Sequence, residues 1–471
     1  MATHLDTSHR TRSFASRPAR RSAEVVVVGA GLGGLNAARE LQRAGVSCLV
    51  LDARDRLGGC LGSGAWIDDL HHPRAWNLVR SLGVDAVEEK LKAGKSVVQG
   101  AGGYEHGSVP NFSEDDRRSY TRVRDNLESL SQRVDINNPT HWLPNFGSMS
   151  VHELVVSQGA TPVVRKLADG WTAGIFGLDA GDVPALCFLL VCKTAGGFLN
   201  AIGQPARAGR RLRFRAGGPA LCDALAERLA PGSVILSQAV RWIDQTPSNK
   251  IVLTTLAGEV FQCSRVVLAI PTASYRNTEF SPALGEHKQW MQEFEQPGFY
   301  TEVVLAYEKP WWREQGLNGF AQSVDGPVWE TRDSSCYADG IYSLTCIVAS
   351  DAGHHLWDMS EDERDETLIA HISDLFSDYN PFPNPTNITW SDFEPDNWVR
   401  HVPCPALPTC YLRNLEQDQW AIDNKLHFVG SETSRIWRGH IEGALASGSR
   451  GAEEVLGALR PAADELTIPR L

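Results

Sequence analysis

The spacing of apolar residues along this chain changes period several times, and each change marks an element. Val25 to Val28 form an unbroken, β-branched apolar run, the pattern of a strand buried on both faces. Leu35, Ala38 and Leu41 then recur at helical spacing, and Gly45 closes that helix. A second strand, SCLVLD, ends on Asp52. The order returns late in the chain: Leu426 to Val429 read as a buried strand, Gly430 as a turn, and a helix starts near Gly439. RVVLAIP at 265–271 predicts a further buried strand. FYTEVVLAYEKPWW (299–312) instead alternates, so Tyr300, Glu302 and Val304 share one face while Thr301 and Val303 share the other.

Chemistry enters at the first strand–helix junction. Gly29-Ala30-Gly31-Leu32-Gly33-Gly34 places glycine at three fingerprint positions. Gly29 permits a tight turn, Gly31 lets a pyrophosphate touch the backbone, and Gly34 lets helix and strand pack closely. Asp52 stands at the end of the next strand, where a carboxylate accepts hydrogen bonds from ribose hydroxyls. Glycine-rich turns alone are common, but strand, glycines, helix, strand and terminal acid in this order predict a dinucleotide site. ARDRLGG follows Asp52 at once, so Arg54, Arg56 and the second glycine turn Gly58-Gly59 sit beside ribose and pyrophosphate. A nicotinamide fold would continue there with a crossover helix, and this favours FAD over NAD.

Composition narrows the remaining choices. At 471 residues two intertwined domains are expected. A formal charge of -12 with no Lys/Arg block argues against nucleic acid. Apolar runs such as ALCFLLVC (185–192) fall short of the roughly 18 residues of a membrane span. Ten cysteines without a CxxC pair suggest reduced thiols in a soluble intracellular protein. The sequons at Asn111 and Asn387 are read as chance, and the pairs His71-His72 and His354-His355 lack further ligands at metal spacing. Residues 1–22, rich in Arg and Ser, read as a disordered extension or a transit peptide, and the final Pro-Arg-Leu loosely resembles a peroxisomal signal. Cytoplasm and peroxisome both stay open.

The stretch 24–59, EVVVVGAGLGGLNAARELQRAGVSCLVLDARDRLGG, resembles the flavin-binding N-terminus of the flavin-containing amine oxidase (monoamine oxidase-like) family, and the chain looks like a fungal-type member. KLHFVGSETSRIWRGHIEGALASGSRGAEEVL (425–456) resembles its second hallmark, and looser similarity covers most of 24–458. The resemblance implies an α/β fold: a Rossmann-like FAD-binding domain from 23–84, 205–275 and 400–460, and an α+β substrate-binding domain from 85–204 and 276–399. It implies FAD contacts at Gly29, Gly31, Leu32, Gly33 and Gly34, at Asp52, Ala53 and Arg54, and at Gly58, Gly59 and Cys60. Further contacts are implied at Trp66 and Ile67, at the backbone of Val240, and at Gly430, Ser431, Glu432, His440 and Ile441. A helix N-terminus aimed at the flavin stabilises negative charge on the reduced ring.

Several positions depart from the family pattern. Asp52 replaces a glutamate, and Cys60 replaces the arginine after the glycine pair. Aligning 299–312 with the strand that usually presents a lysine to the flavin puts Glu302 at the lysine position. There a carboxylate binds an ammonium or acts as general base, unless Glu302 is a strand acid in a shifted register. His440 takes the place of a cage tyrosine, where it either titrates near neutrality and moves a substrate proton or is bonded to backbone. Trp398 and Trp437 are placed near the flavin. Cys404 lies near where some members attach flavin as a thioether, but the accompanying Cys-Tyr pair occurs only at Cys410-Tyr411, so FAD is expected to be held non-covalently.

The resemblance implies hydride transfer from a small molecule, an amine or a secondary-metabolite intermediate, to flavin N5 with molecular oxygen as final acceptor. Glu302 and His440 are the candidate acid–base pair, and Trp398, Cys404 and Trp437 the candidate substrate contacts. A second reading keeps FAD but uses Glu302 and His440 for proton transfer alone, as in a cyclase or isomerase. A third, nicotinamide dehydrogenase, predicts a colourless protein.

Overall fold

The structure is a computed structural model. It describes residues 20–459 except 63–64, 90–92, 143–145, 205–208, 297, 380–381, 392–397, 399–403 and 409–422. Most of the 1–22 extension, the final tripeptide and Cys410-Tyr411 therefore lie outside the described residues.

A five-stranded, wholly parallel sheet organises the nucleotide side. Its order is Leu426–Phe428, Arg265–Leu268, Val25–Val28, Cys48–Leu51, Val234–Ile235. Val25–Val28 is central and fully covered, which is why its sequence shows no alternation. Helices Leu32–Arg43 and Ile441–Leu459 cover one face and pack on each other, with Asn36 Nδ2 donating to the Leu445 carbonyl at 2.9 Å. The two ends of the chain thus form one layer. All five strands fall within 23–84, 205–275 and 400–460.

A second five-stranded sheet, from Arg20–Ser22, Val240–Asp244, Ile251–Thr255, Val260–Cys263 and Glu279–Ser281, flanks the first. A three-stranded antiparallel sheet joins Trp66–Asp68 and Ala86–Glu88 to Arg211–Phe214. Glu279–Ser281 and Ala86–Glu88 fall in segments expected for the substrate side, yet they pair with strands of the nucleotide side.

The second body is a seven-stranded sheet in the order Asn387–Trp390, Tyr300–Tyr307, Tyr342–Ala349, Val328–Asp333, Leu317–Gln322, Lys95–Val98, Gly102–Glu105. One face packs Val303, Leu305, Leu344, Cys346 and Val348 against helices Ser350–Trp357 and Glu361–Leu375. The other face turns toward the parallel sheet. Helices Glu114–Arg133, Val151–Ser157, Pro162–Phe176 and Ala185–Thr194 form a separate apolar core. The uniformly apolar run 185–192 is its central helix, buried along its whole length. No helix among the described residues is long and apolar enough to cross a membrane.

Candidate active site

The glycine turn after Val28 is locked by sterics. Gly29 has φ +109°, and a Cβ there would overlap the Ala269 carbonyl. A Cβ on Gly34 would overlap the Gly29 carbonyl, so Gly34 serves helix–strand contact as its position in the motif requires. Gly31 differs. The nearest atom to a Cβ there is Gly59 Cα at 3.7 Å, so the space beyond Gly31 is open. Gly31 is also the N-cap of helix Leu32–Arg43, which has no side-chain cap and no acid in its first turn. Uncapped N–H groups at a helix start suit a phosphate.

Gly31 lines a cavity of about 950 Å³, at the upper end of the usual range for ligand sites. It runs from this turn to the open face of the seven-stranded sheet. Asp52 sits on its wall; Oδ2 accepts from Ala30 N–H at 2.6 Å and Oδ1 from Arg54 N–H at 2.9 Å. The Arg54 guanidinium donates to the Gly59 carbonyl at 2.7 Å, tying the second glycine turn to the first. Leu32, Gly33, Ala53, Gly58, Cys60, Trp66, Val240, Gly430, Ser431, His440 and Ile441 line the same cavity.

The chemistry of this cradle fits FAD. Glu432 Oε1 and Gln238 Oε1 are buried acceptors on the wall with no donor among the described groups. Buried acceptors are rarely left this way, and the hydroxyls of ribose and ribityl chains are donors of the right kind. Burial raises the Glu432 carboxyl above the usual carboxylate range, against a downward pull from Arg438. Helix Ile441–Leu459 starts at the cavity, bringing a second positive helix end to it. Its Glu442, fully buried, accepts from the N–H groups of Arg74 at 3.2 Å and Ala75 at 2.9 Å, so it caps helix Pro73–Leu82.

On the opposite wall, Tyr300, Glu302 and Val304 face the cavity while Val303 and Leu305 enter the core behind. A Cβ on Gly62 would lie 2.8 Å from Glu302 Oε2, so this carboxylate sits against the loop that continues from the second glycine turn. Cross-strand pairing sets Glu302 opposite Ile347 and Ile347 opposite Glu330, with Val304, Thr345 and Arg332 in the adjoining row.

His440 belongs to a cluster of rings: Trp437 at 5.2 Å, Trp66 at 6.0 Å and His72 at 6.2 Å between centroids. Burial, with a smaller contribution from Arg211, pushes His440 down to about 4. This downward shift favours the neutral imidazole and runs against the expectation that His440 titrates near neutrality. His72 is held lower still, at about 2, chiefly by burial.

Three further expectations change. Ile67 is fully buried in the core beneath the cavity, because strand alternation sends Trp66 inward and its neighbour the other way. Cys404 lies in the helical core and not on the cavity wall, with Cys187 Sγ accepting from Leu407 N–H nearby at 3.4 Å. Trp437 stacks edge-on against His72 at 4.2 Å and stands behind the wall. Trp398 does line the cavity. No cluster of His, Cys, Asp and Glu among the described residues could hold a metal ion.

Sequence reasoning missed a charged wall formed by Glu89, Arg211, Arg213, Glu330 and Arg332. The only local sign was Arg211-Leu212-Arg213-Phe214, whose alternation puts both arginines on one face. It also missed Trp329, which enters the wall between Gly170 and Gly174.

Comparison with known proteins agrees with this geometry. The family model described as flavin containing amine oxidoreductase matches residues 32–456. Human amine oxidase [flavin-containing] B is 24% identical over 473 residues, covering 93% of this chain and 86% of that protein. A Mycobacterium tuberculosis protein named as the flavin-containing monoamine oxidase AofH is 29% identical, covering 92% and 96%. Among solved structures, a putrescine oxidase superposes with TM-score 0.85 at 24% identity, covering 93% of this chain and all of that one. A cyclohexylamine oxidase from Brevibacterium oxydans gives TM-score 0.83 at 20% identity, covering 93% and 99%. The chain belongs to the flavin-containing amine oxidase family and is an FAD-dependent oxidoreductase.

Proposed function

We propose that this enzyme oxidises the carbon–nitrogen bond of an amine, holds FAD non-covalently and passes the electrons to molecular oxygen. The observation that carries the reading is a single cavity with the glycine cradle and Asp52 at one end and the Glu302 face of the seven-stranded sheet at the other. The names of the relatives support an amine as the oxidised group.

When bound, FAD supplies the hydride acceptor. Gly31, the N-terminus of helix Leu32–Arg43 and Arg54 would hold its pyrophosphate, and Asp52 and Glu432 would accept from its hydroxyls. Glu302 binds the substrate ammonium and takes the proton that must leave nitrogen before the α-carbon gives up hydride. His440, neutral, serves as a hydrogen-bonding partner rather than a charge. The aromatic wall around Trp66 and Trp398 excludes water from the reacting carbon. Non-covalent attachment is supported by the burial of the Cys404 thiol in the helical core.

Anaerobic mixing of the FAD-loaded protein with a panel of primary and secondary amines tests the reading. Bleaching of the flavin absorbance is the expected result, followed by stoichiometric peroxide when air is admitted. Product formation without bleaching would instead favour the proton-transfer alternative, for which the comparisons lend no support.

A further inference from the structure

The cavity has two ends of opposite character on its substrate side. Glu302 marks one, against Gly62. The other is the wall on which Arg211, Arg213 and Arg332 converge. Strand Arg211–Phe214 creates it: Leu212 and Phe214 enter the core under the nucleotide sheet, and the two arginines are turned to the cavity.

Two of the three guanidiniums have carboxylate partners. Arg211 Nε lies 2.7 Å from Glu89 Oε2, with the guanidinium carbon 3.5 Å from the centroid of the Trp66 ring. Arg332 pairs with Glu330. Arg213 does not follow suit. Its Nη2 donates to the Ser335 carbonyl at 2.9 Å and its Nη1 to the Phe214 carbonyl at 3.4 Å. No carboxylate among the described residues lies within ion-pair distance of it, although the residue is only 9% exposed. Carbonyl dipoles only partly offset the desolvation of a buried guanidinium, and an anion brought to it regains that cost. The arginines also crowd one another: burial and the charge of Arg332 push Arg211 down to about 10.

We propose that the Arg213 wall is an anion subsite, and that the amine taken by this cavity carries a carboxylate at its far end. The inference rests on the amine-oxidising reading above for the substrate's other end. Geometry supports the match. Arg332 shares the cross-strand row of Val304, two strands over, and Glu302 lies in the adjoining row, so the Glu302 and Arg332 backbones are about 12 Å apart at ordinary strand spacing. An ammonium at Glu302 and a carboxylate at the arginines therefore belong to one molecule of amino-acid size with several intervening bonds. The planar guanidinium fork receives a carboxylate through two parallel hydrogen bonds, which a lysine at the same place would not provide.

Calorimetric titration of the FAD-loaded chain with benzoate and with its neutral isostere benzamide tests the subsite without turnover. Benzoate is expected to bind roughly tenfold or more tightly, the size of one charge-assisted hydrogen bond. Arg213→Met should erase that preference and Arg213→Lys should keep part of it. Equal binding of the two probes by the unmodified enzyme, or a preference that survives in Arg213→Met, overturns the proposal. Should the methionine variant not fold, the ratio in the unmodified enzyme still decides. Anaerobic bleaching by hexylamine and 6-aminohexanoate separates the two layers. Bleaching by both with no lower KM for the acid sinks the subsite alone. Benzoate preference with bleaching by neither amine upholds the subsite and sinks the amine reading.

Discussion

The indole of Trp329 occupies the space that a side chain on Gly170 would need. A Cβ built at Gly170 would overlap three adjacent atoms of the six-membered ring, and one at Gly174 would lie 3.2 Å from Nε1. The strand partners of Val328 and Glu330 are consecutive residues, Val348 and Ile347, so Trp329 is the extra residue of a β-bulge. A bulge re-aims its side chain, and here it drives the ring between two glycines of helix Pro162–Phe176 onto the cavity wall. Gly170→Ala should therefore destabilise the protein by about 1–3 kcal/mol through overpacking, outweighing the gain in helix propensity. Denaturant unfolding of wild type and variant measures it; a more stable variant would show that the ring is free to move.

Gly31→Val isolates the cofactor from the fold. Backbone φ at Gly31 is -74° and ψ 173°, a conformation valine accepts, and the surrounding protein leaves room for it. The variant should fold with an unchanged far-ultraviolet spectrum and lose its bound FAD. Purified protein as yellow as wild type would refute the placement of the pyrophosphate.

Glu302→Gln keeps size and removes charge. If Glu302 binds the ammonium and takes its proton, kcat/KM should fall on the order of 100-fold while FAD content stays the same. Rapid-mixing reduction kinetics supply the comparison, and an unaltered reduction rate would remove Glu302 from the reaction.

The buried histidines give the fold an acid-side weakness. His440 and His106 are both held near 4, with burial as the main cause, and His72 lower still. Since the unfolded chain binds these protons at about 6.5, stability is complete above that pH. It declines as pH falls from 6.5 toward 4, by about 2 kcal/mol per histidine at pH 5. Unfolding midpoints measured from pH 7.5 to 4.5 should show this slope, reduced in a His106→Gln variant. Over the same neutral range kcat/KM should carry no ionisation from His440.

What could be read in advance was what the chain writes locally. The glycine turn, Asp52 and the two end helices depend on neighbours in sequence, and sterics at Gly29 and Gly34 leave little choice. The face shared by Tyr300, Glu302 and Val304 follows from period two. Ile67 was misassigned although the same rule, applied to Trp66-Ile67-Asp68, sends it into the core. His440 could not be judged from its own segment, because what depresses it comes from burial and from Arg211, on a strand near the middle of the chain. Arg213 stands out only once its missing counter-charge is visible. Trp329 needed the bulge, which no local pattern announces.

The parallel sheet also governs when the enzyme can first become functional. Its central strand, Val25–Val28, is made long before the neighbour on one side, Arg265–Leu268, and the edge strand beyond it, Leu426–Phe428. Such distant pairings are slow to form and leave sheet edges open meanwhile. Helix Ile441–Leu459, which starts at the cavity, is made after every strand of that sheet. A nascent chain stalled before residue 441 thus has the glycine turn but lacks one wall of the vessel.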